Sequence, residues 1–274
     1  MSDLQQQDRS ASFAQGLKLI QQLGGADRPA VLDLFESIGE AEFGQQCVGF
    51  IYGDVYHRPG LPLPERQLVT VAALTALGYA GSQLQFHAKA ALNVGCTRHQ
   101  LVEAVIHVSS FAGFPATLNA LTALKAVFDG LPGEEQAPAG EDSGDTEVPW
   151  AGIEDRYERG LAAMKAVDGE AGERVAEGLR DIAPDLATYI VEFTFGEIYS
   201  RPHLSLRHRE IVTIAACVAL GTALPQLKVH IHGLLNVGGT EQEVVETVLH
   251  LAFYCGFPAA LNAVAAAREV FAQR

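Results

Sequence analysis

The stretch Gln83-Leu84-Gln85-Phe86-His87-Ala88-Lys89-Ala90-Ala91-Leu92-Asn93-Val94-Gly95 returns later in the chain as Gln226-Leu227-Lys228-Val229-His230-Ile231-His232-Gly233-Leu234-Leu235-Asn236-Val237-Gly238. The echo extends both ways without insertion. Tyr56 to Phe128 matches Tyr199 to Phe271 at a constant offset of 143, and about half the aligned positions are identical. Internal repetition decides the fold before any local reading does. It also serves as an internal alignment: what both copies keep points to a shared role, and what one copy changes points to a division of labour.

Each copy reads as helices. Arg66 to Gly78 and Arg209 to Gly221 are Ala/Leu/Val-rich runs of helix length, apolar on most faces and therefore expected to be buried. Gly78 and Gly221 stand where a left-handed C-cap would end them. A second helix is expected over 82–94 and 225–237, with Pro225 in its first turn. Thr97-x-x-Gln100 and Thr240-x-x-Glu243 are capping boxes ahead of a third. Gly113 and Gly256 close that helix, and Pro115 and Pro258 open a last one. Further helical pairs are expected over 29–56 and 173–199. No stretch alternates with strand period. The expected architecture is all-α, two tandem helical repeats: residues 1–129, an acidic Pro/Gly/Ser-rich linker over 130–149, and residues 150–274.

With 48% hydrophobic residues in 274, each half has enough apolar content for a core. The net charge of −14, without any run of Lys and Arg, argues against a nucleic-acid partner. The polar start Met1-Ser2-Asp3-Leu4-Gln5-Gln6-Gln7 lacks the pattern of a signal peptide. The apolar run from Leu68 to Ala80 falls short of the ~20 residues of a membrane span. The chain is thus expected to be cytoplasmic with no membrane contact. Its low charge, 19% of residues, suggests apolar surface covered by further copies, a homo-oligomer. Cys47, Cys96, Cys217 and Cys255 include no C-x-x-C pair.

The residues fit for chemistry are shared ones. His87 and His230 hold the same place in the two copies, each four residues after a glutamine, Gln83 or Gln226, on one helix face. Imidazole suits proton transfer near neutral pH; a histidine satisfied within the core is the competing reading. His107 and His250 lie on an apolar helix and read as structural. Arg66 and Arg209, with Arg58 and Arg201 in the preceding loop beside Tyr56 and Tyr199, suit a carboxylate or an inter-helix ion pair. The second copy alone places Glu210 where the first has Gln67, so Glu210 and His230 can form a carboxylate–imidazole pair. It also has His232 in place of Lys89, but His230 and His232 point to different helix faces, so no metal site is expected.

The stretches Leu206-Arg207-His208-Arg209-Glu210-Ile211-Val212-Thr213, His230 to Gly238 and Tyr254-Cys255-Gly256-Phe257-Pro258-Ala259-Ala260-Leu261-Asn262 resemble the carboxymuconolactone decarboxylase family. His87 to Gly95 and Gly113 to Ala116 resemble a second copy. The resemblance implies an all-helical fold assembling into rings, with trimers of tandem chains favoured. It also implies a cofactor-free decarboxylase of a small cyclic carboxylic acid or lactone. One branch of the family reduces peroxides with a C-x-x-C pair, and the matching positions here are Ala80 and Gln83, Ala223 and Gln226. The expected catalytic residues are His230, Glu210 and His87. The expected substrate-binding residues are Gln226, Arg209, Gln83, Arg66, Tyr199, Arg201 and His232. A non-catalytic ligand-binding scaffold and a thiol peroxidase remain as alternatives.

Overall fold

The computed structural model describes residues 3–131 and 148–274; residues 132–147 of the expected linker lie outside them. Among the described residues every element is helical. The first repeat comprises α1 (Asp3–Gly24), α2 (Ala30–Ser37), α3 (Ala41–Val48), a π-helical segment π1 (Gly49–Val55), α4 (Leu63–Leu77), α5 (Gly81–Asn93) and α6 (Arg98–Asp129). The second comprises α7 (Arg156–Asp168), α8 (Glu170–Glu177), α9 (Pro184–Tyr189), π2 (Ile190–Ile198), α10 (Leu206–Leu220), α11 (Leu224–Asn236), α12 (Glu241–Cys255) and α13 (Phe257–Phe271).

The helix ends follow the sequence signals. Gly78 and Gly221 close α4 and α10 in the left-handed conformation, at φ of 75° and 69°. Both capping boxes form, with Thr97 accepting from the Gln100 N–H and Thr240 from the Glu243 N–H. α6 is two helices joined at Gly113, whose φ of 80° and ψ of 169° match the break between α12 and α13 at Gly256. α6 is also long and apolar enough by composition to cross a membrane, but that break divides it and 44% of its apolar window is buried inside the fold.

Helices α4 and α10 are buried on every face, from Arg66 to Ala76 and from Arg209 to Val218. They pack on each other, so the main apolar cluster runs through both repeats, from Leu61 to Val270, instead of forming one core per half. Two smaller clusters form apart from it: Leu19, Leu23, Tyr56 and Ala90 in one, and residues including Trp150, Met164, Val167, Phe195 and Tyr199 in the other.

Buried ion pairs tie the halves together. Glu246 on α12 accepts from Arg58 at 2.8 Å and from Arg66 at 3.1 Å. Glu103 on α6 accepts from Arg201 at 2.7 Å and from Arg209 at 3.2 Å. Each carboxylate therefore serves arginines of the opposite repeat.

The π segments carry no signal in the sequence periodicity. They lie against α1 and α7 through glycines: a Cβ on Gly53 would come within 2.1 Å of the Ser12 carbonyl, and one on Gly196 within 2.5 Å of the Arg156 carbonyl. Each π segment ends on a tyrosine bonded five residues back, Tyr56 to Ile51 and Tyr199 to Thr194. The extra residue in such a turn re-aims the side chains that follow, a device frequent at functional sites.

Candidate active site

Tyr199, delivered by π2, donates its hydroxyl to Glu210 on α10 in a short hydrogen bond. The other Glu210 oxygen receives His230 Nδ1, from α11, at 3.0 Å. All three side chains are buried. Burial alone would lower the His230 pKa, but the charge and hydrogen bond of Glu210, joined by Asp168, outweigh it and raise the value above its ordinary one. With Nδ1 committed to Glu210, Nε2 is the nitrogen left to exchange a proton with a ligand. His230 lines a cavity of about 260 Å³ whose walls include Phe111, Met164, Val191, Phe195 and Val229. Among its polar lining residues are Gln226 and Asp168.

The first repeat builds the same frame with different chemistry. His87 Nδ1 meets Gln67 at 2.9 Å, and the Gln67 amide reaches the Tyr56 hydroxyl at 3.4 Å. Tyr56 bonds in turn to the Tyr254 hydroxyl at 2.7 Å. The rings of Phe86 and Tyr254 pack edge-on against His87. Here no carboxylate opposes burial, which drives the His87 pKa down to about 3.

Neither site belongs to one repeat. Phe111, from α6, packs on His230 at 5.2 Å, and His107 on Tyr199 at 4.8 Å. In the first site His250 and Tyr254, from α12, take the corresponding places. His107 and His250 are held by Thr213 and Thr70 of the opposite repeat, each at 2.8 Å. Burial, then Arg209 or Arg66, pushes both histidines well below their usual pKa.

The structure thus links Tyr199, Glu210 and His230 in one buried hydrogen-bonded chain, of which His230 reaches the cavity, with Gln226 also on its lining. Arg66, Arg209 and Arg201 instead join the ion pairs between the repeats, and Arg66 and Arg209 are completely buried there. Gln83 is exposed beside Ser82. His232 lies on another face of α11, where burial and then Arg274 lower its pKa. Phe111 and Asp168 are additions that the repeat pattern does not flag. Burial raises the thiols of Cys217 and Cys255 to about 12 and about 11, which keeps them protonated and poorly nucleophilic.

Asp168, Glu210 and His230 each offer an atom within 4.8 Å of the others, a set of ligand types that, among the described residues, could hold a cation. Both Glu210 oxygens and His230 Nδ1 already serve the Tyr199–Glu210 and His230–Glu210 bonds, an arrangement suited to handling protons, while Asp168 Oδ1 has no hydrogen-bond partner among the described residues.

His87 gives a stability prediction. Folding holds it neutral down to about pH 3, whereas the unfolded chain binds that proton near pH 6.5. The unfolded state therefore binds more protons between these values, and stability falls as pH falls through that window. By about pH 5 the loss from this group should be about 2 kcal/mol. Urea unfolding at both ends of the range, for wild type and His87→Leu, checks it: the variant should lose less on acidification.

The profile of the carboxymuconolactone decarboxylase family matches residues 41–126 and 184–269. The chain is 40% identical over 119 residues to the 4-carboxymuconolactone decarboxylase of Acinetobacter baylyi, covering 43% of this chain and 88% of that protein. It is 32% identical over 111 residues to the nitrosuccinic acid decarboxylase of Metarhizium robertsii, covering 39% of this chain and 76% of that one. Peroxisomal protein 2 of Schizosaccharomyces pombe is 25% identical over 160 residues, covering 57% of this chain and 70% of that protein.

Proposed function

Because the chain belongs to the carboxymuconolactone decarboxylase family, we propose that it is a cofactor-free decarboxylase of a small cyclic carboxylic acid or lactone, working at its second site. The observation that carries this reading is the Glu210–His230 pair at the cavity, where the first copy has Gln67–His87. In the proposed reaction the substrate carboxylate lies against the apolar wall, where its charge is poorly solvated. The C–C bond breaks, CO2 leaves, and the electron pair remains on the substrate as an enolate. His230 Nε2 gives its proton to carbon and later regains one from water. Glu210 holds Nδ1–H and keeps the ring charged and oriented. Such general acid catalysis contributes ~10²–10⁴-fold.

CO2 release from 4-carboxymuconolactone and from nitrosuccinate, the acids named for two relatives, tests this. His230→Ala should lose about 10²-fold or more, and His87→Ala should retain turnover. Full turnover by His230→Ala would refute the mechanism. For the first site a non-catalytic role is favoured, because burial beside the neutral Gln67 leaves His87 uncharged and Phe86 and Tyr254 pack edge-on against its ring.

The partner proposed is a further copy of the chain, with a trimer of tandem chains favoured. Equivalent positions expose apolar side chains in both repeats: Phe114 and Phe257 at 60% and 63%, Leu118 and Leu261 at 60% and 69%. Phe114 packs on Phe193 and Phe257 on Phe253, so each patch is rigid and aromatic. Light scattering after size exclusion should give an oligomer for wild type, and a smaller species for the double variant Phe114→Asp/Phe257→Asp.

A further inference from the structure

An enolate formed beside His230 needs a donor for its oxygen. Arg209, the cation that the sequence offers for this task, is committed to Glu103 and to the Arg201 carbonyl and does not line the cavity. Asp168 does line it. This residue ends α7, is 7% exposed, and has an Oδ1 with no hydrogen-bond partner among the described residues. That atom stands 3.9 Å from His230 Nδ1.

Two carboxyls, Glu210 and Asp168, therefore flank one imidazole in a buried cluster. Both Glu210 oxygens accept hydrogen bonds, from Tyr199 and His230, and its charge raises the His230 pKa. The single imidazolium balances that charge. A second carboxylate would be a buried and uncompensated negative charge next to the first. Burial raises the Asp168 pKa to about 7, with His230 pulling it down and Glu210 pushing it up.

The first site has no counterpart. Asn93 donates to the Leu23 carbonyl and Asn236 to the Val167 carbonyl, so the next residues, Gly24 and Asp168, are structural equivalents. A Cβ on Gly24 would lie 3.1 Å from the Phe86 ring, in a place where the second repeat has the smaller Val229 nearby on its helix.

Building on the decarboxylase reading, we infer that Asp168 stands in the second site as a neutral carboxylic acid and donates its O–H to the substrate oxygen on which negative charge collects as CO2 leaves. The proton stays on Asp168 throughout, and the one delivered to carbon comes from His230. The substrate class follows: an acid whose carboxylate sits next to a carbon conjugated with a carbonyl, ester or nitro group, so that the electron pair released by C–C cleavage reaches an oxygen. A donor already in place in an apolar cavity strengthens its bond as that charge grows.

The test uses the full-length protein and 4-nitrophenol, an enolate mimic whose absorbance distinguishes phenol from phenolate. At about pH 6, below the ordinary histidine value, the infrared difference between wild type and Asp168→Asn should contain the band of a protonated carboxyl. The bound probe should be phenolate. Asp168→Ala should weaken its binding by about 10-fold or more, the effect of one hydrogen bond to a charged group. Asp168→Asn, which keeps an N–H donor, should lose less. Absence of the infrared band, or equal phenolate affinity in wild type and Asp168→Ala, overturns the inference. If Asp168→Ala fails to fold, the infrared comparison with the isosteric Asn variant decides alone. Neither readout needs turnover. A protein that shows the band and binds phenolate but releases no CO2 would sink the decarboxylase reading only. One that decarboxylates through His230 without the band would sink this inference only.

Discussion

Glu210→Gln should lower decarboxylation at the second site by about 10²–10⁴-fold while leaving the fold intact. The first repeat shows why the fold survives: Gln67 occupies the equivalent position, fully buried, and bonds to His87 at 2.9 Å and, more loosely, to Tyr56 at 3.4 Å. The chemistry does not survive, because the variant removes the charge that offsets burial at His230. Burial then dominates, as it does at His87, and the imidazole loses the proton that the proposed mechanism has it deliver. The variant should also change stability in a pH-dependent way. A histidine with a raised folded pKa contributes stability that is complete below its unfolded value and is lost as pH rises through the folded value. Removing Glu210 should erase that contribution on the acid side. Turnover on whichever of 4-carboxymuconolactone and nitrosuccinate the wild type accepts, with an NMR titration of His230, measures both effects. A rate equal to wild type, with the His230 titration shifted down, would show that the proton reaches carbon by another route. The reverse exchange, Gln67→Glu, should raise the His87 pKa without creating a second working site, since Gly24 supplies no acid and Phe86 packs edge-on against the ring.

The sequence revealed what the repeat could reveal. The 143-residue offset exposed the helix pattern, and the Gly and Thr signals at helix ends reappear as caps with the expected geometry. The change from Gln67 to Glu210 was visible for the same reason, and its partner His230 lay on the conserved stretch. Three features were not legible. Asp168 lies in α7, outside the aligned region, where the structural correspondence runs one residue out of step with the rest: Leu23 pairs with Val167, and Gly16 with Gly160 in the close approach to the next helix. The π segments leave no mark, since one extra residue in a turn alters no obvious spacing. The exchange of parts between repeats is a property of packing: nothing local in Phe111 or Tyr254 says that it faces a histidine of the other copy. The arginines illustrate the same limit. Arg66 and Arg209 suited a carboxylate, and the carboxylates they meet are Glu246 and Glu103 of the opposite repeat, 180 and 106 residues away in sequence.

Those carboxylates carry the second large effect. Glu246→Ala should destabilise the protein by about 3–5 kcal/mol, the cost of breaking a buried ion pair from one side. Arg66 is completely buried, and its Nε and Nη1 have no hydrogen-bond partners. Its Nη2 is held by Glu246 and the Arg58 carbonyl. Without Glu246 a full charge remains in the core with a single carbonyl to answer it. Arg58→Ala is the control. That side chain is 46% exposed, so its own charge is already partly solvated, and Glu246 keeps Arg66 as a partner, so the loss should be smaller than for Glu246→Ala. Glu103→Ala should repeat the large effect through Arg209, which is just as buried. Urea unfolding followed by two probes separates the outcomes. A cost below about 1 kcal/mol for both glutamates would mean that the guanidinium groups find water or another partner when freed. Because α4 and α10 share one core, each variant should lower a single transition for the whole chain. Two transitions, with only one repeat destabilised, would show that the halves fold independently despite their shared interior.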